Sequence, residues 1–196
     1  VGINVLPHAI KQLESLDVVP ELEKVAVRTR LLRYSNRFGQ EIHTELRGLY
    51  AGHDRPQLSI HRGKLHGVLY AALLRRKGAG SILLGHRCTG FEQDAAGVTA
   101  RFVRADGTHT HLRGSALVGA DGIHSAVRAQ LHPAAHVMHW NGIMMWRGTV
   151  DWPTFGGGDT MVVCGDMHEK LLYYPIFPGQ TPGTMLTNWV LSCRAC

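Results

Sequence analysis

The chain has 196 residues, 44% of them hydrophobic and 18% charged, which suits an ordinary globular protein with one sizeable core or two sub-domains sharing one. No apolar run approaches the roughly 20 residues that span a bilayer, and VGINVLPHAI lacks the basic region and cleavage site of a secretory signal, so a cytoplasmic protein without a membrane partner is expected. The net charge of +6 is dispersed, with no basic stripe interleaved with aromatics, which argues against nucleic acid and fits an anionic cofactor equally well.

Ile3, Leu6, Ile10 and Leu13 predict a helical face on which Pro7 is tolerable only in the first turn. After Pro20 a short helix is expected over Glu21 to Ala26. A hairpin then runs from Thr29 to Leu46, its β-forming residues flanking Asn36 to Gly39. A loop over 48–57 leads into SIHRGKLHGVLYAALLRRKG. There Leu65, Val68, Leu69, Ala72 and Leu73 mark the buried face of a helix that ends on a left-handed cap at Gly78. Arg62 opens this helix, where unpaired N–H groups and the dipole favour an anion and a guanidinium strengthens the site. A solvated or ion-paired arginine is the plainer alternative.

Ser81 to Leu84 and His86 to Phe91 read as strands, Val98, Ala100 and Phe102 alternate in a third, and Asp106-Gly107 turns into a fourth from Thr108 to Leu112. Next comes ALVGADGIHSAVRAQL, around which the chain is organised. Ala116 to Val118 predict a buried strand, and Ile123, Val127 and Leu131 share one face of a following helix. Such a strand-to-helix connection delivers Asp121 to the crevice where open α/β sheets bind nucleotides. Its carboxylate is suited to ribose hydroxyls or ordered water, and Gly122 allows a sharp turn or a close approach to a ligand. Arg128 is placed to pair with Asp121 or to reach a phosphate. A plain Asp-Gly turn that begins a helix is the competing reading.

From Pro133 onward IMMWRGTV, TMVVC, LLYYPI and TMLTNWV predict a mixed or antiparallel sheet packed against the α/β part. Gly156 to Gly158 form a turn without a P-loop lysine. A sheet face carrying Trp146, Tyr174 and Trp189 is a candidate wall for a planar aromatic molecule, with core packing as the alternative. Cys88, Cys164, Cys193 and Cys196 make no disulfide framework, and the terminal C-x-x-C stands alone. His132, His136 and His139 have helical ligand spacing, but Pro133 interrupts it and no acidic partner accompanies them, so no metal is expected. No G-x-G-x-x-G loop is present, nor any Ser-His-Asp, Cys-His or paired-carboxylate constellation.

The string VGADGIHSAVR closely resembles the Asp-Gly motif of the single-component FAD-dependent aromatic hydroxylases. VGINVLPHAI, SIHRGKL, NGIMMWRGTV, LLYYPI and TNWV follow in the family's order, and together they look most like its phenazine type. The resemblance implies an α/β fold: a partial FAD-binding domain, 1–26 and 57–133, with a mixed β-sheet substrate domain, 27–56 and 134–196. It also implies a central fragment, because the glycine loop upstream and the Gly-Asp segment downstream are missing and LSCRAC leaves the pattern.

The function implied is FAD-dependent, NAD(P)H-consuming hydroxylation of an aromatic or phenazine carboxylate by molecular oxygen, through a flavin C4a-hydroperoxide. The flavin carries that chemistry, and the protein binds, orients and excludes water. By motif, Arg62, Asp121, Gly122 and Arg128 are cofactor residues, the Asp-Gly segment serving both FAD and NAD(P)H. Tyr174 is the substrate-side aromatic, with Trp146 and Arg147 as pocket neighbours; no catalytic side chain is assigned. A fragment of this kind is expected to bind FAD weakly or not at all. The competing functions are a non-catalytic binding module and an FAD-dependent oxidoreductase without oxygen transfer. Oligomeric state is open.

Overall fold

The computed structural model describes residues 1–135 and 139–194. It divides into two compact units, Val1–Gly78 with Asn141–Cys196, and Ala79–Trp140.

The chain opens with strand β1, Gly2–Val5, and helix α1, Pro7–Glu14. Proline at the first helical position loses no hydrogen bond, because that N–H has no partner in any helix. The helix therefore starts at Pro7, and Ile3, expected on its face, lies in β1 instead. Helix α2 covers Val19–Glu23, earlier than expected, since Pro20 sits within its first turn. Ala26 then belongs to strand β2, Ala26–Arg28. The expected hairpin is formed by β3, Leu31–Ser35, and β4, Glu41–Leu46. Its turn is held by the Asn36 carboxamide oxygen, which accepts the N–H groups of Phe38 and Gln40.

Strand β5, Leu58–His61, lies between β1 and β2 and leads into α3, Arg62–Lys77. Ile10, Val18, Leu22, Leu58 and Ile60 are fully buried between this small sheet and the helices. Leu65, Val68, Leu69 and Ala72 face that core as expected. Leu73 does not: the contact is a narrow stripe, and its side chain is exposed at the margin. Gly78 has a positive φ of 78° but an extended ψ of 169°, so it closes the helix on the Leu74 carbonyl without a left-handed helical cap.

The second unit is a three-stranded antiparallel meander of β6, His86–Asp94, β7, Gly97–Arg104, and β8, His109–Gly114. The Asp106-Gly107 turn forms as read, with the Asp106 carboxylate accepting the Thr108 N–H at 2.9 Å. Two expected strands are absent. In the 81–84 segment Ser81 ends a 3-10 turn, Ala79–Ser81, and the rest is loop. Ala116 to Val118 is irregular, with Val118 86% exposed, because a strand needs a hydrogen-bonded neighbour and none among the described residues lies beside it.

The following helix, α4, is shorter than expected, Ala126–Leu131. Of its predicted apolar face only Val127 is buried, against Phe91 and Val98, while Ile123 precedes the helix and Leu131 is exposed. Gln130 fastens α4 to β6 by donating to the Phe91 carbonyl at 2.7 Å and accepting its N–H at 3.0 Å.

The chain then returns to the first unit with β9, Ile143–Pro153, β10, Thr160–Gly165, β11, Glu169–Pro178, and β12, Thr184–Arg194. Together with the early hairpin they form a six-stranded sheet in the order β4-β3-β10-β11-β12-β9. Only the β3–β10 pairing is parallel, so the sheet is mixed, as the sequence predicts. Leu32, Met161, Tyr174 and Ile176 form its buried cluster.

The register corrects one expectation. Tyr173 lies opposite Trp189 and Gly148, whereas Tyr174 lies opposite Asn188 and Thr149. Successive side chains in a strand point to opposite faces, so Trp146 and Trp189 share a face with Tyr173 and not with Tyr174.

Candidate functional site

The Asp-Gly turn is held by a local hydrogen-bond network. Ser125, the N-cap of α4, donates its hydroxyl to Asp121 Oδ1 at 2.5 Å and accepts the Arg128 N–H at 2.9 Å. Asp121 Oδ2 accepts the N–H groups of Ala126 at 2.7 Å and Val127 at 3.4 Å. The Ser125 hydroxyl above all, with the backbone N–H groups, holds the Asp121 carboxyl below its ordinary value of 3.8. The group is therefore ionised at neutral pH, and its two oxygens, which offer about four acceptor positions, keep capacity for a further donor. Gly122 has a φ of 78°, and among the described residues nothing lies within 4 Å of where a Cβ would stand, so its backbone conformation alone calls for glycine.

Arg128 donates to the carbonyls of Gly122 and Ile123. It braces the turn and forms no ion pair with Asp121. Asp121 opens onto a cleft of about 900 Å³ that His86, Phe102, Gly119 and His124 help to line, all within the second unit.

Within the first unit, Arg62 is the first residue of α3 and its side chain is exposed, with no ion pair among the described residues. His61 caps the helix by accepting the Gly63 N–H on Nδ1 at 3.2 Å, and burial pushes its imidazole below the ordinary value. The helix start thus offers N–H groups and a guanidinium to an anion. Lys64 rests its Nζ 4.6 Å from the centre of the Phe177 ring, which ties the start of α3 to β11.

Tyr174, on β11, is 3% exposed. Burial pushes that phenol up, and the neighbouring Arg147 partly opposes the shift. Arg147, on β9, is exposed and donates through Nη2 to the Gly2 carbonyl at 3.3 Å. Tyr174 and Arg147 are therefore brought together. Trp146 is not: it lies on the other face, where Val150, Trp152, Tyr173 and Trp189 bound an apolar hollow of about 460 Å³.

Two residues were missed in the sequence. Ser125 carried a legible signal, a serine just before a helical apolar pattern. Asn188 carried a fainter one, a polar residue inside the apolar run of TNWV. Among the described residues no group of His, Cys, Asp and Glu is placed to hold a metal ion, although His136 and Cys196 lie outside them. No helix among them is long and apolar enough to cross a membrane.

The sequence profile of the FAD binding domain family matches residues 15–170. The chain is 41% identical over 194 residues to a phenazine 1,6-dicarboxylic acid hydroxylase, PhzS, of Lysobacter antibioticus, covering 97% of this chain and 48% of that protein. It is 33% identical over 135 residues to a 3-amino-4-hydroxybenzoate 2-monooxygenase, PtmB3, of Streptomyces platensis, covering 66% of this chain and 32% of that one. The chain thus spans about half the length, or less, of these relatives. In fold it is similar to Klebsiella pneumoniae HpxO complexed with FAD and uric acid, at a TM-score of 0.75 and 23% identity, over 100% of this chain and 47% of that one. The chain belongs to the FAD binding domain family.

Proposed function

We propose that this chain is the flavin-holding and substrate-facing part of an NAD(P)H-consuming hydroxylase that uses molecular oxygen on an aromatic carboxylate of the phenazine class. The observation that carries the reading is the placement of an exposed guanidinium, Arg147, beside the buried phenol of Tyr174. One end of that arrangement suits a carboxylate and the other an aromatic ring. The names of the relatives point to the same substrate class.

The residues present fit FAD. Arg62 and the N–H groups at the start of α3 suit its phosphates, and the ionised Asp121, with acceptor capacity left, suits its ribose hydroxyls. Gly122 allows close approach, and Arg128 keeps the turn in shape. FAD, when bound, supplies the redox chemistry by which reducing equivalents and oxygen reach the ring. Arg147 orients the acid, Tyr174 offers a hydrogen bond, and the packed face around Tyr174 excludes water.

Residues 1–26 and 57–133 are assigned to the FAD-binding domain and 27–56 and 134–196 to the substrate domain. The sheet that joins β3 and β4 to β9–β12 supports that grouping. A cytoplasmic setting follows from the NAD(P)H requirement. The test is to load the polypeptide carrying these residues with FAD and to measure NAD(P)H oxidation with and without phenazine-1,6-dicarboxylate, tracing ¹⁸O₂ into product. Acid-stimulated oxidation with label in the ring is the expected result. Oxidation without label would favour an oxidoreductase that transfers no oxygen, and failure to retain flavin would favour a binding module.

A further inference from the structure

Gly2 is held at both of its polar backbone groups by side chains of the six-stranded sheet. Its N–H donates to Asn188 Oδ1 at 2.5 Å, and its carbonyl accepts from Arg147 Nη2 at 3.3 Å. Only the oxygen of a carboxamide accepts from an N–H, so this bond fixes the orientation of the amide. Asn188 is fully buried, and its Nδ2 has no partner among the described residues. An apolar side chain of the same shape would leave no such unpaired donor. The amide is therefore present for its oxygen, and that oxygen serves Gly2.

The fit is tight from both sides. A Cβ on Gly2 would stand 2.8 Å from Asn188 Cβ and 3.0 Å from Ile176 Cγ2. Asn188 also lies directly opposite Tyr174 in the β11–β12 ladder. Four strands thus meet at one peptide unit. Gly2 lies opposite His61, the residue before Arg62.

We propose that Asn188 is a positioning residue that acts through Gly2 to hold the Arg147 guanidinium in place for an aromatic carboxylate. The inference rests on the hydroxylase reading above. By fixing the N–H side of Gly2, Asn188 fixes the direction of the carbonyl that anchors one arm of Arg147. The remaining N–H groups of that guanidinium are left to face an anion.

The experiment uses the FAD-loaded polypeptide carrying these residues, with Asn188→Leu, Arg147→Ala and the double variant, each checked by thermal unfolding. Phenazine-1-carboxylate and uncharged phenazine are titrated against the flavin absorbance. Asn188→Leu is expected to weaken the acid about tenfold and phenazine less than about twofold. In the Arg147→Ala background the same change is expected to cost less than about twofold, because residues acting through one another are not additive. A readout without ligand is the NMR signal of the Arg147 guanidinium, restrained in the unsubstituted protein and freely rotating in Asn188→Leu. Equal losses for both ligands, an undiminished loss in the Arg147→Ala background, or an unchanged guanidinium signal would each overturn the inference. Failure of the unsubstituted protein to bind either ring would count against the hydroxylase reading, and the guanidinium signal would still decide the role of Asn188.

Discussion

Replacing Tyr174 separates what its ring does from what its hydroxyl does. The ring is 3% exposed and packs with Leu32, Met161 and Ile176. Truncating such an aromatic to alanine costs about 3–5 kcal/mol, a large part of the roughly 5–15 kcal/mol that holds a domain together. At roughly 2–4 °C per kcal/mol for a chain of this size, Tyr174→Ala should lower the melting temperature by roughly 6–20 °C. Tyr174→Phe keeps the buried ring and removes only the hydroxyl. Its effect on stability should stay below about 1 kcal/mol, or roughly 4 °C. Binding should behave in the opposite way: a hydrogen bond to an anionic ligand contributes about 1.5–3 kcal/mol, so Tyr174→Phe should weaken phenazine-1-carboxylate by roughly tenfold to a hundredfold. Thermal melts and ligand titration on the two variants check this. A Tyr174→Phe protein as unstable as Tyr174→Ala, or one that binds the acid unchanged, refutes the division of labour.

Asp121 titrates below its ordinary value in the fold, so its contribution is complete above about pH 4 and is lost as pH falls through the folded value. Asp121→Asn should flatten the acid limb of the pH–stability curve of the second unit and weaken FAD binding at neutral pH, both measurable by flavin fluorescence. Gly122→Ala meets no atom of the described residues within 4 Å yet must hold a φ of 78°, so it should cost about 1–2 kcal/mol of pure backbone strain, seen as a melting shift without loss of packing. Ile60→Ala removes a fully buried side chain from the small-sheet core and should cost about 2–5 kcal/mol in urea unfolding.

Elements whose pattern carries its own partner were legible in the sequence. The β3–β4 hairpin brings both strands and the Asn36 turn within one short stretch, and α3 shows four of its five core-facing residues correctly. Ala116 to Val118 failed for the opposite reason: an apolar triplet becomes a strand only beside another strand, and no local pattern reveals whether that neighbour exists. Sequence shows aromatics without register, so Trp146 and Tyr174 look like one wall in the sequence, yet a shift of one residue reverses the face. As candidates, Arg62, Asp121 and Arg128 were visible in the motif strings. The clasp of Asn188 on Gly2 was not, since it joins the two ends of the chain through one side-chain oxygen.

The parallel pairing of β3 with β10 sets an order of events during synthesis. Leu31 leaves the ribosome long before Thr160, its ladder partner, has been made. In the interval Ala79–Trp140 can complete its meander from neighbouring strands alone, and contacts local in sequence form fastest. The early hairpin must wait with one strand edge open, and open edges invite pairing with the wrong chain. Pulse-labelled nascent chains should therefore show protease resistance first in Ala79–Trp140, with Leu31–Leu46 protected only after β10 has emerged.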